Sequence, residues 1–165
     1  MKRQNFIQIS KGKMLSWRIF AVYDGVGYQA FLMEQVKVSE MVMFYDTDCG
    51  GVVSNIAYLR FVEKARTALF ESLGMPAKHM NETKLFPAVV RTEIDYQYPA
   101  RLGDSLTIKA SLAVVEKVKA TCAFELTVVS SDEAGKLAAK AVQTVVLVQM
   151  PSGRPTRMPE EWRTA

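Results

Sequence analysis

The sequence holds one histidine, His79, and only two cysteines, Cys49 and Cys122. A single histidine and no cluster of metal-ligand spacing leave no metal site to expect, and no glycine-rich phosphate loop or dinucleotide fingerprint is present. No metal and no cofactor are therefore expected. Two cysteines make no disulfide framework, which favours a reduced, cytoplasmic setting. No apolar run approaches the ~18 to 20 residues that span a membrane. The stretch from Met14 to Tyr23 is partly apolar after a basic start, but Arg18 interrupts it, Asp24 ends it, and no clean small-residue cleavage site follows. It does not have the form of a signal peptide. Repeats and low-complexity tracts are missing as well.

The chain also lacks a charge excess where one would matter. Its net charge is +4 over 165 residues. Residues 1–32 carry five basic residues (Lys2, Arg3, Lys11, Lys13, Arg18) and one acid, Asp24, which already accounts for +4. The remaining 133 residues balance at 16 basic and 16 acidic. A nucleic-acid-binding face needs clustered excess charge, so no nucleic-acid partner is expected.

What is present is 49% apolar residues, enough for one globular domain with a core. Residues 1–32 show no sustained period and are expected to be an N-terminal extension, either a loose tail from an upstream start or a basic arm that docks. Residues 33–150 form the domain and 151–165 a loop-like tail, with one helical turn near Glu160 to Arg163. Val36 to Tyr45 alternates loosely as a first strand. A helix should run from a cap at Ser54 or Asn55 to about Leu73. Its apolar stripe of Ile56, Leu59, Val62, Leu69, Phe70 and Leu73, widened by Tyr58, Phe61, Ala65 and Ala68, is broader than a surface helix needs, and suits a helix wrapped by a sheet. Strands follow at Val90–Tyr98, from Leu106, around Cys122 to Val128, and from Ala139 to Met150, with turns at 99–104, 116–119 and 132–135. One helix and then a meander of long strands is an α+β pattern.

The most informative run is Tyr45-Asp46-Thr47-Asp48-Cys49-Gly50-Gly51-Val52-Val53, followed at once by the helix. It puts carboxylates in a tight, glycine-permitted loop at the positive end of a helix. Helix amides can polarise a carbonyl there while a carboxylate attacks it or activates water. Taken on its own pattern, Asp48 reads equally as a turn former. Asp46 more simply orders the loop, although two close carboxylates can raise one another's pKa. Cys49 near a helix start invites a thiol nucleophile, but the one histidine, His79, lies in the loop after the helix, and Cys49 better fills a small-residue slot. Glu63 and Arg66, three apart on one helix face, read as a structural pair or a subunit contact.

This order of residues, D-x-D-x-x-G-V-V and then N-x-x-Y-L-x-F-x-E-x-A-R, resembles the signature of the hydroxybenzoyl-CoA thioesterase family, including its Tol-Pal-associated branch. The resemblance runs from about Met33 to about Met150. It implies a hotdog fold, in which a curved antiparallel sheet wraps one long central helix. It also implies an acyl-CoA thioesterase that releases a free acid and coenzyme A, with Asp48 as nucleophile or general base and the backbone amide near Asn55 facing the thioester carbonyl. Some relatives carry His or Tyr at Asn55 and Tyr at Phe44, so those side-chain acids are missing here. Tyr58 would line the acyl pocket. Lys117, Lys119 and Arg157, with Arg154, would meet the coenzyme A phosphates. Hotdog enzymes build the site between subunits, with the partner's strand Val90–Tyr98 supplying part of the pocket, which implies a homodimer or homotetramer. A non-catalytic acyl-binding hotdog protein is the alternative. A dehydratase is disfavoured because that branch uses a histidine the motif lacks.

Overall fold

The structure is a computed structural model and describes residues 21–23, 28–30, 35–129 and 134–164. Most of the expected N-terminal extension lies outside the described residues. Within it, Ala21–Tyr23 (β1) and Tyr28–Ala30 (β2) pair antiparallel with each other.

The domain is one antiparallel sheet against one long helix. Gln35–Met41 (β3), Leu85–Tyr96 (β4), Ser105–Val115 (β5), Lys119–Val128 (β6) and Leu137–Gln149 (β7) take the order β3-β5-β6-β7-β4, and Arg154–Pro155 (β8) pairs with the end of β7. The expected α+β hotdog architecture holds. Strand alternation buries Leu106, Ile108, Ala110 and Leu112 of β5 and Cys122, Phe124, Leu126 and Val128 of β6 on one face. That face meets Asn55–Ser72 (α1), whose Phe61, Val62, Ala65 and Leu69 are wholly buried. Ile56 and Leu59, counted in the apolar stripe, instead face solvent at 73% and 44% exposure, because the sheet curls over only one side of the helix.

Several boundaries differ from the sequence expectation, among them the end of β4, at Tyr96 and not Tyr98. The first strand stops at Met41, and Phe44–Asp46 turns as a 3-10 helix because the Asp46 carboxylate accepts from the Met43 N–H at 3.0 Å. His79 sits not in a loop but in a short helix, Ala77–Thr83 (α2). β4 begins at Leu85, five residues before Val90, and runs through Pro87. Proline is tolerated there because β4 is an edge strand.

The tail is docked on the domain. Met158 and Trp162 are buried, and Trp162, in Glu161–Thr164 (α3), donates its indole N–H to the Leu73 carbonyl at 3.2 Å. Its ring lies 5.6 Å from that of Phe70. Replacing a buried tryptophan leaves a cavity, so Trp162→Ala is expected to lose about 3–5 kcal/mol of stability. Urea unfolding measures this, and an unchanged midpoint would mean the tail is not part of the core.

Candidate active site

The motif loop is built as a small ladder. Ser54 N–H donates to Asp46 O at 2.8 Å, Thr47 bridges Val53, and Asp48 N–H donates to Val52 O at 2.9 Å. Asp48 therefore sits at the tip, two rungs or about 7 Å from the helix start. Both glycines have reasons. Gly51 has φ +71, and a Cβ on Gly50 would stand 3.1 Å from the Asp48 carboxylate.

The two carboxylates have different tasks. Asp46 is buried at 1% exposure and takes the Arg60 guanidinium through both oxygens, at 2.8 and 2.9 Å. Arg60 also bonds Glu40 at 2.7 Å, and Lys64 pairs with Glu40. Burial alone would raise the Glu40 pKa, but Lys64 and Arg60 outweigh it and hold the carboxyl below its usual value. Asp48 is exposed, and its Oδ1 accepts from Gly50 N–H at 2.8 Å. No hydrogen bond holds its Oδ2 among the described residues.

Ser54 is the cap of α1, its Oγ accepting from Ala57 N–H at 3.3 Å. Asn55 is thus the first helical residue. With Ser54 N–H given to Asp46 and Ala57 N–H to Ser54, the amides of Asn55 and Ile56 have no acceptor among the described residues. These open amides carry the positive end of the helix.

Beside them lies a cleft of about 300 Å³ lined by Val52, Val53, Asn55, Tyr58, Tyr96, Gln97, Tyr98 and Pro99. Tyr58 is buried, with its ring 5.2 Å from that of Tyr96. Burial pushes its hydroxyl pKa up, against a backbone hydrogen bond at Ala100. Asp48 stands next to this cleft and is not in its wall.

Lys117, Lys119 and Arg157 gather elsewhere. Met158 N–H donates to Lys117 O at 2.9 Å, which lays the tail against the β5–β6 turn, and Lys119 pairs with Glu116 at 3.2 Å. Met41 opposite Ser105 puts the Asp48 loop at the start of β5, whereas this turn follows its end at Val115. Eighteen residues of α1 span about 27 Å between the two ends. One chain brings Asp48 and Asn55 together, with Tyr58 beside them, but sets the three cations a helix length away. Glu63 lies 3.8 Å from Arg66, whose guanidinium donates to the buried Gln143 at 2.8 Å, a structural tie between α1 and β7.

A family model described as the thioesterase-like superfamily matches residues 42–165. The chain belongs to that superfamily. It is 32% identical over 125 residues to the acyl-CoA thioesterase YbgC of Haemophilus influenzae, covering 75% of this chain and 88% of that one. It is 26% identical over 125 residues to a 1,4-dihydroxy-2-naphthoyl-CoA hydrolase of Synechocystis, covering 75% and 88%. The solved 4-hydroxybenzoyl CoA thioesterase of a Pseudomonas strain superposes with TM-score 0.71 at 17% identity, covering 78% of this chain and 96% of that one, which speaks for the hotdog fold. The family resemblance of the motif is therefore correct, and the chain is a thioester hydrolase by family. No described helix is long and apolar enough to cross a membrane, and no described group of side chains has the make-up of a metal site.

Sequence reasoning missed Arg60 as the loop's anchor and Gln97 as part of the cleft. Arg60 carried a signal, since it lies within the helix motif one turn from Ile56. Gln97 carried none, because period-2 alternation put it on the other face. The two thiols differ sharply. Cys122 is buried, which pushes its pKa up to about 12 against the pull of Arg66, and Cys49 is exposed. A thiol reagent at neutral pH is expected to label one cysteine per native chain and both after denaturation. Labelling of both in the native protein would contradict the core packing.

Proposed function

We propose that this thioester hydrolase cleaves an acyl-CoA to the free acid and coenzyme A, with the acyl group in the tyrosine-lined cleft. The carrying observation is the pair of open amides at Asn55 and Ile56 beside that cleft, with an exposed carboxylate two rungs away. The amides receive the negative charge that develops on the thioester oxygen. Asp48 acts through Oδ2, either attacking the carbonyl carbon or taking a proton from the attacking water. Asn55 contributes its backbone donor, which survives any side-chain change. No cofactor enters either route.

The proposal includes a homodimer or homotetramer. The outer edge of β4 has no strand partner among the described residues, and Val90 on that strand is exposed. A second copy there would cover both. It would also be needed for Lys117, Lys119 or Arg157 to meet the coenzyme A phosphates at the same site as Asp48. A cytoplasmic setting goes with free, unpaired Cys49 and Cys122.

One observation favours a non-catalytic acyl-binding role: the Asp48 side chain already closes a turn by accepting from Gly50 N–H. Thiol release from a panel of acyl-CoA thioesters separates the two. Asp48→Asn is expected to keep the fold and the Gly50 hydrogen bond yet lose about 100-fold or more in kcat, with a small change in KM. Near wild-type turnover in a folded Asp48→Asn protein would favour the binding role.

A further inference from the structure

Three consecutive residues, Tyr96, Gln97 and Tyr98, line the cleft. A regular strand cannot do this, because successive side chains point to opposite faces. The register explains it. Tyr96 pairs with Ala139, and then the N–H groups of Gln97 and Tyr98 both donate to one carbonyl, that of Ala138, at 2.9 and 3.1 Å. Two residues oppose one, which is the arrangement of a β-bulge, a device that re-aims a side chain at the end of a ladder. β4 ends at Tyr96, so strict alternation does not extend to Gln97. With the bulge there, Gln97 lines the cleft beside both tyrosines.

The rest of the wall is apolar or aromatic except for Asn55. Val53 and Tyr58 are buried, whereas Asn55 and Gln97 are exposed together with Tyr96 and Pro99, so the two carboxamide residues belong to the solvent-facing part of the wall. An acyl group fits the aromatic interior. What passes the carboxamides is the arm that carries the acyl group. In a coenzyme A thioester, the sulfur is followed by two methylenes and then a secondary amide. A primary carboxamide offers a donor and an acceptor, which match the C=O and N–H of that amide. It has no charge to offer a phosphate.

We propose that Gln97 is a positioning residue that hydrogen-bonds the first amide of the pantetheine arm and so sets the thioester carbonyl against the amides of Asn55 and Ile56. The inference rests on the thioesterase function proposed above. It acts through orientation of the reacting group, not through chemistry at Gln97 itself.

The test compares two thioesters of one acyl group, the S-N-acetylcysteamine ester, which keeps the amide, and the S-pentyl ester, which has the same length without it. The wild type is expected to favour the first about tenfold in kcat/KM, the scale of one or two hydrogen bonds. Gln97→Met, of similar size, should bring the ratio to about one through loss on the amide ester alone, at an unchanged unfolding midpoint. Gln97→Ala carries the same comparison should the methionine variant fold poorly. A ratio that survives both substitutions, or equal losses on both esters, overturns the inference. So does a wild type that cleaves acyl-CoA but gives the amide ester no advantage, whether both esters react or neither. A wild type inert toward acyl-CoA as well defeats the thioesterase function instead.

Discussion

The site depends on one buried carboxylate. Asp46 accepts from the Met43 N–H, takes Arg60 through both oxygens and offers its own carbonyl to Ser54 N–H. It thereby ties the end of β3, the motif loop and the first turns of α1 into one unit. A carboxylate at 1% exposure would be costly alone, and the paired guanidinium and backbone donor make it tolerable. Arg60 reaches on to Glu40 in β3, so the same charge network fixes the helix on the sheet. The buried aspartate holds the loop on which the exposed aspartate stands.

The capping chemistry extends that arrangement. Ser54 Oγ satisfies Ala57, and Asp46 O satisfies Ser54, which leaves two adjacent amides, Asn55 and Ile56, without an acceptor among the described residues. The cleft beside them is narrowed by the Tyr58–Tyr96 ring contact and shaped by the bulge at Gln97 and Tyr98. Helix start and strand end thus meet at the cleft, with the loop tip two rungs away. The cations at the β5–β6 turn and tail do not join them within one chain, because α1 and β5 separate the two ends of the domain.

Local features of the site were legible from residue order. Glycine at positions 50 and 51 announced a tight loop, and the position-51 backbone does adopt the left-handed conformation. The apolar spacing of α1 gave its length to within a residue, and alternation gave the inner faces of β5 and β6. Other features were not legible because they arise from contacts between distant segments. Tyr45 looks like strand until the Asp46 side chain bends the backbone there. The stripe placed Ile56 and Leu59 with the core because periodicity cannot say how far a sheet curls. Trp162 looks like a tail residue until the Leu73 carbonyl and the Phe70 ring are seen next to it. Gln97 breaks the period-2 rule at a bulge that no local residue type announces. The family signature supplied what composition could not, a preference for Asp48 as a reacting group over a turn former.

The direct test of this account is Asp46→Asn, measured for both unfolding free energy and turnover. The amide keeps the shape but cannot neutralise Arg60. The account predicts a stability loss of about 2 kcal/mol, the scale of a charged hydrogen bond weakened in a partly buried pair. It also predicts a fall in kcat at matched folded fraction, because the weakened Arg60 pair holds the Asp48 loop less firmly on the helix, with the Asp46 carbonyl bond to Ser54 N–H left in place. Wild-type stability together with wild-type turnover would contradict it, and would mean that the loop stands in place without its anchor.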